Sequence, residues 1–305
     1  MLTRYRLDNG SLVQGEDAAG PVLVYLNPTD AERRFLLDEL KIDEHTLNSA
    51  LDPDEPSRLE FEPSHYALIF KRPKNYSAQD HFLFKVTSYG LFLFPDRLVM
   101  VVAEELSPLL GGKLAKGISS VEDVFLRILS SSIHHYIEHL KVINMISDEM
   151  EKKINSSMEN KYLLNMFSLE KSLVYYLSAI HANGGALERL KNSSAKAGIS
   201  QRGLEHLEDL LIENSQCYRQ AEIYSNILAS LMDARVSIVS NNLNILMKTL
   251  NLITIGIMVP TFVVSAFSMN VGIPFQHHPM AFWIIIFLAL LALLTMIRWW
   301  QKKKW

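Results

Sequence analysis

The chain has 305 residues, 49% of them hydrophobic, a single cysteine and a formal net charge of −3. That length holds one large domain or two smaller ones, and the hydrophobic share is too near the globular average for a chain embedded in a membrane throughout. Cys217 alone excludes an internal disulfide framework and fits a reducing compartment.

Read from the start, MLTRYRLDNG has no apolar stretch of the kind a secretory leader needs, so no cleaved signal peptide is expected. Residues 1–118 read as a mixed α/β domain. Runs rich in aromatic and branched residues predict strands at Thr3–Leu7, Pro21–Asn27, Arg58–Glu62, His65–Arg72, His81–Ser88, Leu91–Phe94 and Leu98–Ala103. Thr29 followed by Glu32 is a capping box that opens a helix over Asp30–Leu40. Pro53 and Pro56 break the stretch between, and Pro108 with Gly111-Gly112 marks a boundary.

From Ser119 no proline occurs until Pro260, and the composition turns rich in Leu, Glu, Lys and Ser. This predicts helices over about 120–158, 160–192 and 201–270, with Gly184-Gly185 and Gly198 as the breaks. The last would be about 100 Å long at 1.5 Å per residue, which suits a stalk entering a membrane rather than a globular domain. The helical region is assigned to 119–200 and the stalk to 201–248. His134-His135-x-x-x-His139 resembles a metal pair, but it lacks the glutamate of HExxH and any further ligands, so it reads as a solvated or interhelical face. Without a Gly-rich phosphate loop or a CxxC pair, nothing points to an enzyme.

Two uncharged runs follow, 22 residues from Thr249 to Asn270 and 17 from Ala281 to Ile297, both in the range that spans a bilayer. They predict a first span at 249–270, a loop at 271–280, a second span at 281–300 and a basic tail at 301–305. Lys248 precedes the first run, Arg298 and Lys302–Lys304 follow the second, and the loop has no Lys or Arg. The positive-inside rule then puts both ends in the cytoplasm, with Trp283, Trp299 and Trp300 at the interfaces. All 33 acidic residues lie before Lys248, against 25 of the 30 Lys and Arg, a net of −8. An acidic cytoplasmic domain argues against nucleic acid and is compatible with cations.

The polar residues of the first span form one line: Asn251, Thr254, Thr261, Ser265 and Ser268, with Met258 in the gap. Backwards, the line meets Met247, Asn244, Ser240, Ser237 and Asp233, a period of 3.5 over about 35 residues that keeps one face turned to a common axis. Polar side chains at membrane depth are costly unless they face a partner or water. One helix is not expected to satisfy five of them, whereas several copies around a wet axis would, with Met258 and Met247 as hydrophobic collars. The alternative is tight helix packing through small polar residues, without a lumen. Pro260 frees a carbonyl near Gly256 and is a hinge or a static kink.

Asn244-Ile-Leu-Met247-Lys248-Thr-Leu250, then Met258, Pro260-Thr261 and Ser268-Met269-Asn270, resembles the pore helix of the CorA family of magnesium transporters, whose signature at this place is Gly-Met-Asn. The motif resemblance covers about 233–304, and the architecture resembles the family over the whole chain. It implies an α+β membrane protein: a cytoplasmic α/β domain, a long helical stalk and a two-helix transmembrane hairpin. It also implies a funnel-shaped homopentamer in the inner membrane. By position, Asn270 would form the outer ring that meets hydrated Mg²⁺, since Mg²⁺ dehydrates reluctantly. Thr261 and Asn244 would line the path, Met247, Leu250 and Met258 would narrow it, and Asp233 would ring its cytoplasmic end. Glu208-Asp209 falls where the family has an inter-subunit regulatory Mg²⁺ site; a solvated acidic pair is the plainer reading. Ser268 departs from the signature glycine, which tolerates a turn that serine resists. The proline sits one place later than in the family, and the loop offers His277-His278 rather than an acid, a pair suited to Zn²⁺, Co²⁺ or Ni²⁺. Three functions follow: a passive Mg²⁺ channel, a transition-metal transporter of the same superfamily, or a non-conducting sensor or scaffold. No resident cofactor is expected.

Overall fold

The computed structural model describes residues 1–8, 10–15, 20–77, 80–104, 117–156, 160–272, 274 and 278–302. Pro108, Gly111, Gly112, His277, Lys303 and Lys304, on which sequence expectations rest, lie outside them. The chain forms two compact units, Met1–Met232 and Asp233–Trp305.

In the first unit, seven strands make one sheet in the order β2-β1-β3-β7-β6-β5-β4. β1 (Leu2–Asp8) and β2 (Ser11–Gly15) are a hairpin whose turn holds Gly10 at φ +74°, where glycine has no Cβ to clash. β3 (Val22–Leu26) and β7 (Leu98–Val102) form a parallel pair at the sheet centre, the only one among the described residues. β4 (Arg58–Phe61), β5 (Tyr66–Pro73) and β6 (Val86–Leu93) complete the sheet antiparallel.

Alternation along the strands divides the core into two layers. Leu23, Tyr25, Ala67, Ile69, Val99 and Val101 pack with Leu36 and Leu47 of α1 (Asp30–Asp38) and α2 (Glu44–Leu51). Val22, Val24, Leu68, Phe70, Leu98 and Met100 face the other way, where α3 (Val121–Ser156) and α4 (Asn160–Asn192) cover the sheet and the same core cluster continues to Leu207 and Leu210 of α5 (Gln201–Ala266). A sheet covered on both faces explains why β3 and β7 read VLVYL and LVMVV, without polar alternation.

The Thr29–Glu32 capping box forms as expected, the Thr29 hydroxyl accepting from the Glu32 N–H and the Glu32 carboxylate from the Thr29 N–H. Several expectations need correction. The strand expected at His81–Ser88 starts at Val86, because His81 and Phe82 adopt positive φ, and it runs on through the segment expected as a separate strand at Leu91. Gly90 bridges the two: a Cβ there would lie 2.7 Å from the Cβ of Ala50, so glycine lets α2 close on the sheet rather than breaking the strand. Gly184-Gly185 likewise lies inside α4, and the chain turns at Gly198 (φ +64°). β2 and α2 were not anticipated.

α3 and α4 pack on β5, and at their contact His139 is 9% exposed. Its Nδ1 lies 2.6 Å from the Tyr176 hydroxyl, and its ring meets Phe84 and His135 edge-on. Burial, and then the neighbouring His135, push the His139 imidazole down to about 4. The unfolded chain takes up this proton near pH 6.5, the folded chain only near pH 4. Stability is therefore complete above pH 6.5 and is lost as pH falls towards 4, by about 3 kcal/mol at 1.4 kcal/mol per unit. Thermal melts of the purified protein from pH 7 to pH 4.5 should show that decline, and His139→Gln, which keeps a hydrogen-bonding group without titrating, should flatten it by about that amount.

Candidate permeation face

The second unit contains the lower part of α5 and α6 (Ala281–Lys302), both long and apolar enough to cross a membrane. On α5, Leu252, Gly256, Val259 and Val263 are half-buried. On α6, Ala289 is buried and Ile285, Ala292 and Met296 are half-buried at heptad-like spacing. These two stripes are the least exposed sides of the two helices.

The polar line is on a different side. Asn244, Met247, Asn251, Thr254, Met258, Thr261, Ser265 and Ser268 are all exposed, as are Asp233, Leu250, Met269 and Asn270. At about 100° per residue, the line from Asn251 to Ser265 lies roughly 150° around α5 from the half-buried stripe. The helix thus has a half-buried apolar face and an opposite face that keeps its amides and hydroxyls open. Met247 (62% exposed), Leu250 (64%) and Met258 (62%) sit among them, the large apolar side chains of the open face.

The hydroxyls behave differently from the expectation that one helix cannot satisfy them. Thr254 donates to the Leu250 carbonyl at 2.9 Å and Thr261 to the Ile257 carbonyl at 2.7 Å, within their own helix. The i−4 carbonyl is within reach of a helical threonine, so the donor half of each hydroxyl is satisfied locally. The amides are not: among the described residues, Asn244, Asn251 and Asn270 make no hydrogen bond within the chain. α5 continues as helix through Pro260, whose missing N–H leaves the Gly256 carbonyl without its usual donor.

The end of α5 departs from the expected helix over 201–270. α5 stops at Ala266, so Ser268, Met269 and Asn270 follow the helix rather than close it. Both the N–H (3.1 Å) and the hydroxyl (2.8 Å) of Ser268 donate to the Ser265 carbonyl. Ser268 is not among the residues with positive φ. A serine here therefore needs none of glycine's conformational freedom, and its hydroxyl adds a bond that glycine lacks.

The remaining candidates are separate. Glu208 and Asp209 are both exposed on α5 within the first unit, and Glu208 pairs with Lys191 of α4 at 2.9 Å. The histidine motif of α3 is split: His134 faces Glu213 of α5 at 3.8 Å, while His139 is held by Tyr176. No group of three or more His, Cys, Asp or Glu side chains able to hold a metal occurs among the described residues. In the loop, His278 accepts the Met280 N–H through Nδ1 at 3.1 Å, and its carbonyl accepts the Ala281 N–H. The signals for Thr254 and Thr261 were legible as polar residues; that their protons point back along the helix was not.

A three-layer α/β/α unit, followed by two apolar spans of which the first has an open polar face, defines a membrane transport protein with two spans. Residues 23–303 match the family described as CorA-like Mg²⁺ transporter protein, and the chain belongs to that family of divalent-cation transporters. It is 24% identical over 294 residues, 92% of this chain and 89% of the other, to the cobalt/magnesium transport protein CorA of Methanocaldococcus jannaschii. The complete structure of the CorA magnesium transporter from that organism superposes with a TM-score of 0.84 at 19% identity, covering 100% of this chain and 98% of the other. The cytoplasmic domain of ZntB from Vibrio parahaemolyticus superposes with a TM-score of 0.61 at 14% identity, over 78% of this chain and 98% of that one.

Proposed function

We propose that the chain forms a homopentameric channel for passive Mg²⁺ influx across the inner membrane, both termini cytoplasmic, the first spans surrounding the axis and the second spans outside them. The observation that carries this is the two-sidedness of α5: one face is apolar and half-buried, and the opposite face holds Asn251, Thr254 and Thr261 open. Amides in hydrocarbon are costly, so that face has to meet either other copies or water. Five copies around a wet axis provide both. Asn270 then rings the outer mouth, Asn244 and Thr261 line the path, and Met247, Leu250 and Met258 narrow it. Asp233 adds an acidic ring at the cytoplasmic end.

The cargo follows from the donor set. Amide and hydroxyl oxygens suit the water shell of a hard ion that sheds its waters slowly. The relative over most of the chain is named for cobalt and magnesium. Zn²⁺ is the weaker reading because the likeness to ZntB, at 14% identity, is one of fold.

Proteoliposomes loaded with a divalent-sensitive dye and offered Mg²⁺, Co²⁺, Ni²⁺ and Zn²⁺ in turn test this. Mg²⁺ should enter under a negative-inside potential without a proton gradient, and His278→Ala should leave the Mg²⁺-to-Zn²⁺ ratio unchanged. Preferred Zn²⁺ entry that His278→Ala abolishes would replace this reading with the transition-metal one. Silence to every ion would leave the sensor or scaffold.

A further inference from the structure

Residues 249–270 contain no Lys, Arg, Asp or Glu. An ion crossing the first span therefore meets no formal charge, and any preference there for cations over anions has to come from oriented dipoles. On the open face within the helix the candidates are the amide of Asn251 and the hydroxyls of Thr254, Thr261 and Ser265, while Ser268 and Asn270 follow the end of the helix. An amide has a donating end and an accepting end and can present either. A free hydroxyl can do the same. The hydroxyls of Thr254 and Thr261 cannot, because their protons are committed to the carbonyls of Leu250 (2.9 Å) and Ile257 (2.7 Å). What each turns outward is an oxygen with lone pairs and no hydrogen.

That matters for the sign of the ion. Water bound to a cation has its oxygen inward and its hydrogens outward, so it donates to such an oxygen. Water bound to an anion has hydrogens inward and lone pairs outward, and it meets lone pairs head-on. Thr249 makes the same bond, to the Ile245 carbonyl at 2.9 Å, so the committed proton is a property of threonine in this helix. The face selects Thr254 and Thr261, which lie on the open polar line two turns apart, whereas Thr249 does not.

We propose that Thr254 and Thr261 are the charge-sign filter of the first span, with hydroxyls locked as acceptors that favour hydrated cations over anions. This rests on the pore reading above, and the test separates the two. The Mg²⁺-to-Cl⁻ permeability ratio is taken from reversal potentials of reconstituted protein. Valine has threonine's shape without the oxygen, and losing about one hydrogen bond per ring contact should lower the ratio about tenfold in Thr254→Val/Thr261→Val. Each single valine variant is read alongside, so the ratio is available if the double variant fails to assemble. Thr254→Ser/Thr261→Ser, which returns the oxygen, should restore the ratio relative to valine. In parallel, Thr254→Cys is exposed to a charged methanethiosulfonate reagent; the native Cys217 is buried and gives little background. Unchanged ratios in the valine variants together with block of Thr254→Cys would overturn the filter and keep the pore. Unchanged ratios with Thr254→Cys untouched from both sides would overturn both.

Discussion

Replacing Asn270 by alanine should abolish Mg²⁺ uptake while leaving the oligomer intact. Asn270 lies beyond the end of α5, exposed, with its amide making no bond within the chain among the described residues. Its loss therefore costs the fold almost nothing. In the proposed ring, five amide oxygens accept from the waters of one hydrated ion. At about 1 kcal/mol each, even half of those bonds are worth about a hundredfold in occupancy of the mouth. The measurement is Mg²⁺-dependent growth and direct uptake in a magnesium-requiring strain, with size-exclusion chromatography as the control on assembly. Uptake within a few-fold of the parent, in a variant that assembles, would remove Asn270 from the ion's path.

The same region shows how far the sequence carried and where it stopped. The 3.5-residue period of the polar line was visible because periodicity is a property of the chain itself. Which apolar face would be half-buried was not, because Leu252, Val259 and Val263 look no different in sequence from the exposed Ile253 and Ile257. The end of α5 was placed four residues late, since Phe267, Ser268 and Met269 continue the apolar run and only the Ser268–Ser265 bonds mark the stop. In the first unit the buried strands declared themselves by composition. β2 did not, with only Leu12 buried, and nor did the continuity of β6 through Gly90, which depends on the approach of Ala50 from α2. Local signals such as the Thr29–Glu32 box transferred directly; contacts between distant segments left no local trace.

One such contact gives the second large effect. Asn183 of α4 is 0% exposed. Its Nδ2 donates to the Lys71 carbonyl at 2.8 Å, and its Oδ1 accepts from the Lys71 N–H at 3.0 Å and from the Ser57 hydroxyl at 2.6 Å. The β4–β5 register, with Arg58 opposite Ile69, explains why. Continued by two residues, it would set Pro56 opposite Lys71, and proline has no N–H to give to the ladder. The Asn183 amide supplies the donor and the acceptor that a strand residue would have supplied, and ties α4 to the sheet. Asn183→Leu fills the space but leaves the buried N–H and carbonyl of Lys71 without partners, at a cost of about 3 kcal/mol. In a unit of this size that lowers the melting midpoint by about 6–12 °C. Asn183→Asp should be at least as damaging at neutral pH, since a buried carboxylate is costly to desolvate and meets the Lys71 carbonyl with lone pairs, and should recover in part on acidification, when its O–H can donate. Melting of the purified variants by circular dichroism decides it: an Asn183→Leu midpoint within 2 °C or so of the parent would mean that the sheet edge holds without the amide.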